Sequence, residues 1–341
     1  MDGGGVDIRG ICVDDNIYSL NFAWMTDRRQ FIKRTFLPAA AVCLPAVLTA
    51  QAAPVATMRP AGSPLSRRLK SLTRDTTWRL ITEIKVGFKT FHCQGMVRIG
   101  DDFWVSSVEV EAPVDGVVDR SKGKGHLFKI SSAGKLLTDV AIGEGSIYHP
   151  SGIDFDGTHI WIAAAEYRPD SQSIIYTFDP EQMTLREVFR WEDHIGGVAR
   201  DKETNILHGI SWGSRRFYEW SLDEKGNARM PLANPKELAV ANPSFYIDYQ
   251  DNQCLGGQEM VYTGLCAYKR PGGPSMALGG LEVVDLQQKC AVHQVPVQLW
   301  SPATGAVMTQ NPSYFELMPD DRIRAYFMPD DNESTIFVYE S

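Results

Sequence analysis

The residues best suited to chemistry in this chain are histidines that recur at matching places. Five short phrases align: Phe91-His92-Cys93-Gln94-Gly95, Tyr148-His149-Pro150-Ser151-Gly152, Asp193-His194-Ile195-Gly196-Gly197, Ala241-Asn242-Pro243-Ser244-Phe245 and Gln310-Asn311-Pro312-Ser313-Tyr314. Their second column is His92, His149, His194, Asn242 and Asn311, so three of the chain's seven histidines share one slot. Their fourth column is Gln94, Ser151, Gly196, Ser244 and Ser313. A third set follows 17 to 24 residues after the histidine column: Glu109, Glu166, Trp212, Cys266 and Asp330. Basic residues lie just beyond it, at Arg168, at Arg215 or Arg216, and at Lys269 or Arg270.

Three chemical readings of the column compete. A His or Asn at the entry to a strand closes a turn by bonding backbone through its side chain. Three imidazoles converging from separate segments hold a divalent transition metal, with Glu109 or Glu166 completing or orienting the shell. Such a site with an open position activates water, which makes a metal-dependent hydrolase or lyase. In the third reading one histidine, His149, works with Glu166 or Glu109 in metal-free acid–base chemistry. Arg168 and Arg215 would then hold a carboxylate or phosphate of the substrate, with Trp212, Gln94, Ser151, Asn242, Asn311 and Asp330 lining the site.

These columns converge only if the segments carrying them repeat radially, and the sequence has that repeat. From Phe91 onward, units of roughly fifty residues, the period range of propeller and solenoid repeats, each run through a short apolar strand, an acidic turn, a second strand and a third. The first strands are 95–101, 152–156, 197–201, 245–251 and 314–320. The second are 103–107, 159–164, 206–211, 259–263 and 322–327, and the third 126–130, 174–178, 217–220, 280–284 and 335–339. Fourth strands are expected at 135–141, 185–190 and 292–299, with Met230–Leu232 the best guess in the third unit. The fifth unit ends after its third strand, and a spare strand lies upstream at about 78–86. That arrangement predicts an all-β, five-bladed propeller of four-stranded antiparallel blades, its last blade closed by the N-terminal strand. Residues 53–77 read as a basic lead-in with helical character around 66–73, and 78–341 as one domain. Asp154–Thr158 looks like a calcium loop but sits where the hairpin turn is needed. Trp104, Trp161 and Phe327 recur inside second strands, as packing residues between blades would.

The start of the chain reads as an address. From Met25, a basic segment with Arg28-Arg29 precedes an apolar run of fifteen residues, Phe36–Ala50, and a small-residue site at Ala50-Gln51-Ala52. Residues 25–52 thus resemble a twin-arginine signal peptide, which implies export in a folded state to the periplasm or beyond by that machinery. The run is too short to leave a stable membrane anchor. Asp2, Asp7, Asp14 and Asp15 fit badly ahead of such a signal, so 1–24 is expected to be a misplaced gene start. The net charge is −8, and 1–52 holds five basic and five acidic residues, so the body carries all of it. A body that acidic disfavours nucleic acid as a partner and leaves a small-molecule ligand. After the leader, Cys93, Cys254, Cys266 and Cys290 remain, and an oxidising compartment allows a bridge among the last three.

Phe91–Met96, Ser106–Glu109 and His149–Asp154 together resemble an uncharacterised family of bacterial and fungal propeller proteins, a domain of unknown function. The resemblance spans Trp78 to Tyr339 and implies the fold without an activity. Cys93 replaces the Pro expected after the first His, which adds a thiol to the expected channel. Phe91–Met96 is also similar to the start of plant-type glutaminyl cyclotransferases, five-bladed propellers that cyclise N-terminal glutamine through a carboxylate proton carrier. That similarity implies Glu109 or Glu166 in the carrier's role, in an acyl transferase. Against every enzymatic reading stands a non-catalytic module that binds a ligand or partner.

Overall fold

A computed structural model describes residues 62–111, 119–229, 232 and 234–341. Expectations for the leader, the start site and residues 53–61 lie outside these. Five antiparallel sheets follow one another along the chain. The first blade comprises His92–Ile99, Asp102–Val110, Gly123–Ile130 and Leu136–Ile142. The second has an inner strand broken into Ile147–Pro150 and Asp154–Phe155, then Ile160–Glu166, Ser173–Asp179 and Thr184–Trp191. The third comprises Ile195–Asp201, Ile206–Ser211, Arg216–Ser221 and Val240–Ala241, and the fourth Asp248–Gly256, Glu259–Tyr268, Met276–Asp285 and Cys290–Pro296. The fifth comprises Ser313–Leu317, Ile323–Phe327 and Thr335–Glu340, and Arg79–Lys85 closes it as the outer strand, with Leu80 opposite Tyr339 and Lys85 opposite Thr335. The propeller and its closure are as the repeat predicts.

Side-chain alternation explains why blades stack. Successive residues of a strand point to opposite faces, and in a propeller each face meets a neighbouring blade, so the second strands bury apolar residues on both faces. In Ile160–Glu166, Trp161 and Ala163 join the cluster shared with the third blade, while Ile162 and Ala164 join the one shared with the first. Five apolar clusters result, one for each blade interface. Trp104, Trp161 and Phe327 each lie in one, fully buried.

The lead-in forms a short helix, Pro64–Leu69, capped by Ser63 and opened by Pro64. It ends four residues earlier than expected. Leu69 and Leu72 enter the cluster between fourth and fifth blades, and the Lys70 ammonium meets Glu259 at 2.6 Å. Leu69→Ala is expected to cost about 2–5 kcal/mol by leaving a cavity there. Urea denaturation reads that loss; a change under 0.5 kcal/mol would mean that the helix is not part of the fold's core.

Other expectations need correction. The third blade's outer strand is Val240–Ala241, paired with Arg216 and Phe217. Leu232 instead packs against the cluster of the second and third blades, and Met230 and Pro231 lie outside the described residues. The fourth blade's inner strand continues past Asp251 to Gly256, so its turn falls at Gly256–Gln258 and Asp251 sits mid-strand. All four described cysteines are free. Cys254 and Cys266 lie toward opposite ends of one hairpin, opposite Met260 and Leu278. Cys290 is on the outer strand, three strand spacings from Cys254, or roughly 14 Å, where a bridge needs under about 7 Å. Among the described residues no helix is long and apolar enough to cross a membrane.

The axis is filled by polar bonds. Asp251 accepts backbone N–H groups of Met96 at 3.0 Å, Ser313 at 3.1 Å and Asn252 at 2.9 Å, and that of Ile153. The neighbouring Asn252 donates to the Val198 carbonyl at 3.0 Å. Two consecutive residues of the fourth blade therefore touch the inner strands of the other four. A Cβ on Gly197 would sit 2.1 Å from Asn252 Oδ1, and one on Gly95 would sit 2.5 Å from the Ile153 nitrogen. Side chains are absent there because backbones must approach.

Candidate functional site

The inner-strand entries and the loops after second strands meet on one face, and the histidine column ties them together. His194 Nδ1 lies 2.8 Å from the Glu166 carbonyl and 3.0 Å from that of Arg168. Carbonyls only accept, so Nδ1 carries the proton and Nε2 is left bare in the neutral ring. Asn242 Nδ2 donates to the Ser214 carbonyl at 2.9 Å, and Asn311 Nδ2 to the Pro329 carbonyl at 2.9 Å. His92 Nδ1 and Asn311 Nδ2 both reach Asp331 Oδ1, at 2.9 Å each. For His194, Asn242 and Asn311 the turn-closing reading holds, while His92 bonds a carboxylate side chain.

His149 is the exception. It is buried, and its Nδ1 has no hydrogen-bond partner among the described residues. Its ring lies 4.3 Å from that of Tyr167, 5.4 Å from His194 and 6.1 Å from Trp212, between centroids. Trp212 stands edge-on to His194 at 4.5 Å. The Arg120 guanidinium covers the Tyr167 ring at 5.2 Å, and the Arg120 carbonyl accepts the Tyr148 hydroxyl at 2.7 Å. Burial holds the His149 imidazole well below its ordinary 6.5, and His194, His92 and Arg120 push it the same way by repelling its charge. Burial also takes His194 down to about 4. Both rings are neutral at pH 7, with the Arg120 guanidinium the fixed positive charge acting on His149.

The structure thus brings His149, His194 and Trp212 together. Tyr167 and Arg120 belong with them and were missed, because neither occupies a column shared by the other blades. Glu166 accepts from Ser146 at 3.0 Å and pairs with Arg168, so only backbone from this loop reaches His194. Glu109 goes elsewhere: its carboxylate lies 3.6 Å from His126 Nε2 and 3.9 Å from Lys124. Arg215 pairs with Asp248 at 3.0 Å and covers the exposed Phe245 ring at 4.6 Å. Asp330 accepts the Ser301 hydroxyl at 2.8 Å and that of Thr304. Ser151 donates to the Ala163 carbonyl at 2.9 Å, and Gln94 is buried at the start of the first blade. Cys93 is buried in the first and fifth blades' cluster, its thiol pushed up to about 12 by burial, so it adds nothing to the channel. Asp156 closes the suspected calcium loop by accepting the Thr158 and His159 N–H groups, and it pairs with Arg200 at 3.2 Å. A groove of about 380 Å³ opens beside the mouth, lined by Gly125, His126, Asp139, Glu144 and Tyr148 among others.

The metal reading gains no support from this geometry. Among the described residues no three His, Cys, Asp or Glu side chains converge closely enough to hold an ion. His194 is oriented through Nδ1 by two carbonyls and His92 through Nδ1 by Asp331.

A five-bladed propeller with a polar, aromatic-walled mouth is the class defined so far. The chain belongs to the family of unknown function DUF6454, whose model matches residues 54–341. None of the curated proteins matches the chain. Three solved structures are distantly similar. Mannose phosphorylase MPT-4 of Leishmania mexicana shares 12% identity over 76% of this chain and 88% of its own, with a TM-score of 0.43. The periplasmic gluconolactonase of Pseudomonas aeruginosa shares 10% over 72% and 85%, with a TM-score of 0.36. Hydrazine synthase of Kuenenia stuttgartiensis shares 12% over 73% of this chain, which spans only 58% of it, with a TM-score of 0.36. Identities this low say nothing about which residues act or on what.

Proposed function

We propose that the protein is an exported propeller that binds a small polar or anionic molecule at the mouth, seated over His149. The observation that carries this is the unpartnered His149 nitrogen, buried between Tyr167, His194 and Trp212 with Arg120 above. A buried polar atom without a partner costs about 1–3 kcal/mol, and a ligand that bonds it recovers that cost. The Arg120 guanidinium beside the site favours an anion, and the aromatic walls favour ligand burial. A neutral imidazole also supports proton abstraction from the bound molecule, which keeps turnover as a second reading. The Arg28-Arg29 segment and apolar run support the export part.

The test is thermal shift and calorimetry with phosphate, citrate, gluconate and acetate. At least one is expected to stabilise the wild-type protein. His149→Phe keeps a ring against Tyr167 and removes the lone nitrogen, so it should leave the free protein as stable or more so while abolishing the shift. Arg120→Ala alters an exposed side chain, and should change unliganded stability by less than about 0.5 kcal/mol while weakening binding. No shift with any compound, or an undiminished shift in both variants, would sink the reading.

A further inference from the structure

The fourth blade's second and third strands outreach the rest of their sheet. Pairing with the inner strand begins at Asp248 opposite Leu265, and pairing with the outer strand ends at Gly280 opposite Pro296. Residues 266–268 and 276–278 therefore pair with each other alone, Cys266 with Leu278 and Tyr268 with Met276. This two-stranded end carries the loop after a second strand, so it stands on the mouth face. Met260, Tyr262 and Val284 face the third blade, and a period of two puts Tyr268, Met276 and Leu278 on the same side. The third blade's second strand stops at Ser211, and the three side chains are left 49, 46 and 42% exposed. Phe245, 74% exposed with Arg215 4.6 Å over its ring, lies at the foot of this step. Arg215 pairs there with Asp248 at 3.0 Å, and a Cβ on Gly280 would meet the hydroxyl of the adjacent Tyr246 at 2.7 Å.

We propose that this end of the hairpin docks on an anionic lipid bilayer. Every residue from 267 to 276 is exposed, and that stretch holds Lys269 and Arg270 but no acid, in a chain whose 42 acidic residues outnumber its 34 basic ones. The Asp248 carboxylate at the foot of the step is neutralised by Arg215. A protein of net negative charge meets an anionic surface through such a patch, which sets its orientation. Tyr268 and Met276 enter the boundary between headgroups and acyl chains, where a ring with a polar tip is favoured, while Lys269 and Arg270 stay with the phosphates. A narrow projection suits a bilayer, whereas a protein partner needs a broad complementary face, about 800 Å² on each side. Docking in this way turns the mouth toward the membrane surface.

Vesicle sedimentation with the folded protein tests this, using phosphatidylcholine with and without phosphatidylglycerol. Binding is expected to the mixed vesicles and should weaken at high salt. Lys269→Ala combined with Arg270→Ala should reduce it about thirtyfold, the effect of removing two cations from a charged surface. Tyr268→Ser combined with Met276→Ser should reduce it about tenfold or more, with the urea midpoint unchanged because both side chains are exposed. Leu136→Ser combined with Leu137→Ser takes comparably exposed apolar groups from the first blade's outer strand, and should leave binding as it was. No binding to the mixed vesicles, or binding that survives both hairpin variants, overturns the proposal. Equal binding to phosphatidylcholine alone overturns it too. So does a concentration-dependent dimer that the Tyr268→Ser, Met276→Ser variant disrupts, since a second copy of the chain would then cover this face.

Discussion

Replacing Asp251 by alanine is expected to abolish folding. The carboxylate accepts four backbone N–H groups, those of Met96, Ile153, Asn252 and Ser313. Three of those donors belong to the inner strands of other blades, so their bonds are the polar contacts that join the ring at its centre. Removing the acceptor leaves four buried donors, at about 1–3 kcal/mol each. The total, about 4–12 kcal/mol, is comparable to the whole stability of a typical domain. Asp251→Asn is the informative companion. It keeps one oxygen as acceptor but turns an NH₂ toward donors, so the loss should be intermediate, and the variant should fold with a lowered urea midpoint. Far-UV circular dichroism and urea titration read both. An alanine variant with near wild-type stability would mean that water replaces the carboxylate at the axis, and that the clusters between blades suffice to hold the ring.

That hub shows where sequence reading stops. The repeat was legible because each blade faces two neighbours and so carries alternating apolar residues, punctuated by turns, at a roughly constant period. The closing strand was legible for the same reason, as the one apolar segment left over. Asp251 was not. It resembles the acidic turn residues that end the other inner strands, such as Asp101 and Asp201, and only its register, five positions before the real turn, separates it. The glycines at 95, 152 and 197 were visible as strand starts. Their meaning was the missing signal: they open space where Asn252 and the neighbouring backbones cross the axis. The short strand Val240–Ala241 was hidden because two residues carry no periodicity.

The site was half legible. The column of His and Asn did mark the mouth, and the mixture of the two residue types pointed to turn closure, which His194, Asn242 and Asn311 perform with carbonyl acceptors. What the alignment could not show is that one member of the column departs from its equivalents. His149 has no such acceptor, and that difference arises from the loops around it rather than from its own phrase. The carboxylates at Glu109 and Glu166 were overvalued for a related reason. Matching positions in a repeat share a place on the face, yet a long side chain chooses its partner among local charges, and these two choose His126 with Lys124, and Arg168 with Ser146.

Exchange within the column provides the second large effect. His194→Asn places at the third blade the residue that the fourth and fifth blades already use, and its amide can donate to the Glu166 carbonyl as Asn242 donates to Ser214. The turn should therefore survive, with about 1 kcal/mol lost from contact with Trp212. What disappears is a titration. Burial holds His194 at about 4 in the folded protein, against 6.5 when exposed. Between these values the unfolded chain binds a proton that the folded one does not, so stability is fully present above 6.5 and is lost as pH falls toward 4. The gap corresponds to about 3 kcal/mol for this one ring. The wild-type urea midpoint should fall steeply from pH 7 to pH 4, and the Asn variant should fall less, overtaking the wild type near the acid end. His149 is held low by burial and in part by repulsion from His194, so the Asn variant relieves that repulsion and its shallower fall includes this contribution. Parallel curves for the two would show that His194 is accessible to protons in the folded state, and would remove the neutral, Nδ1-protonated ring on which the geometry of the mouth depends.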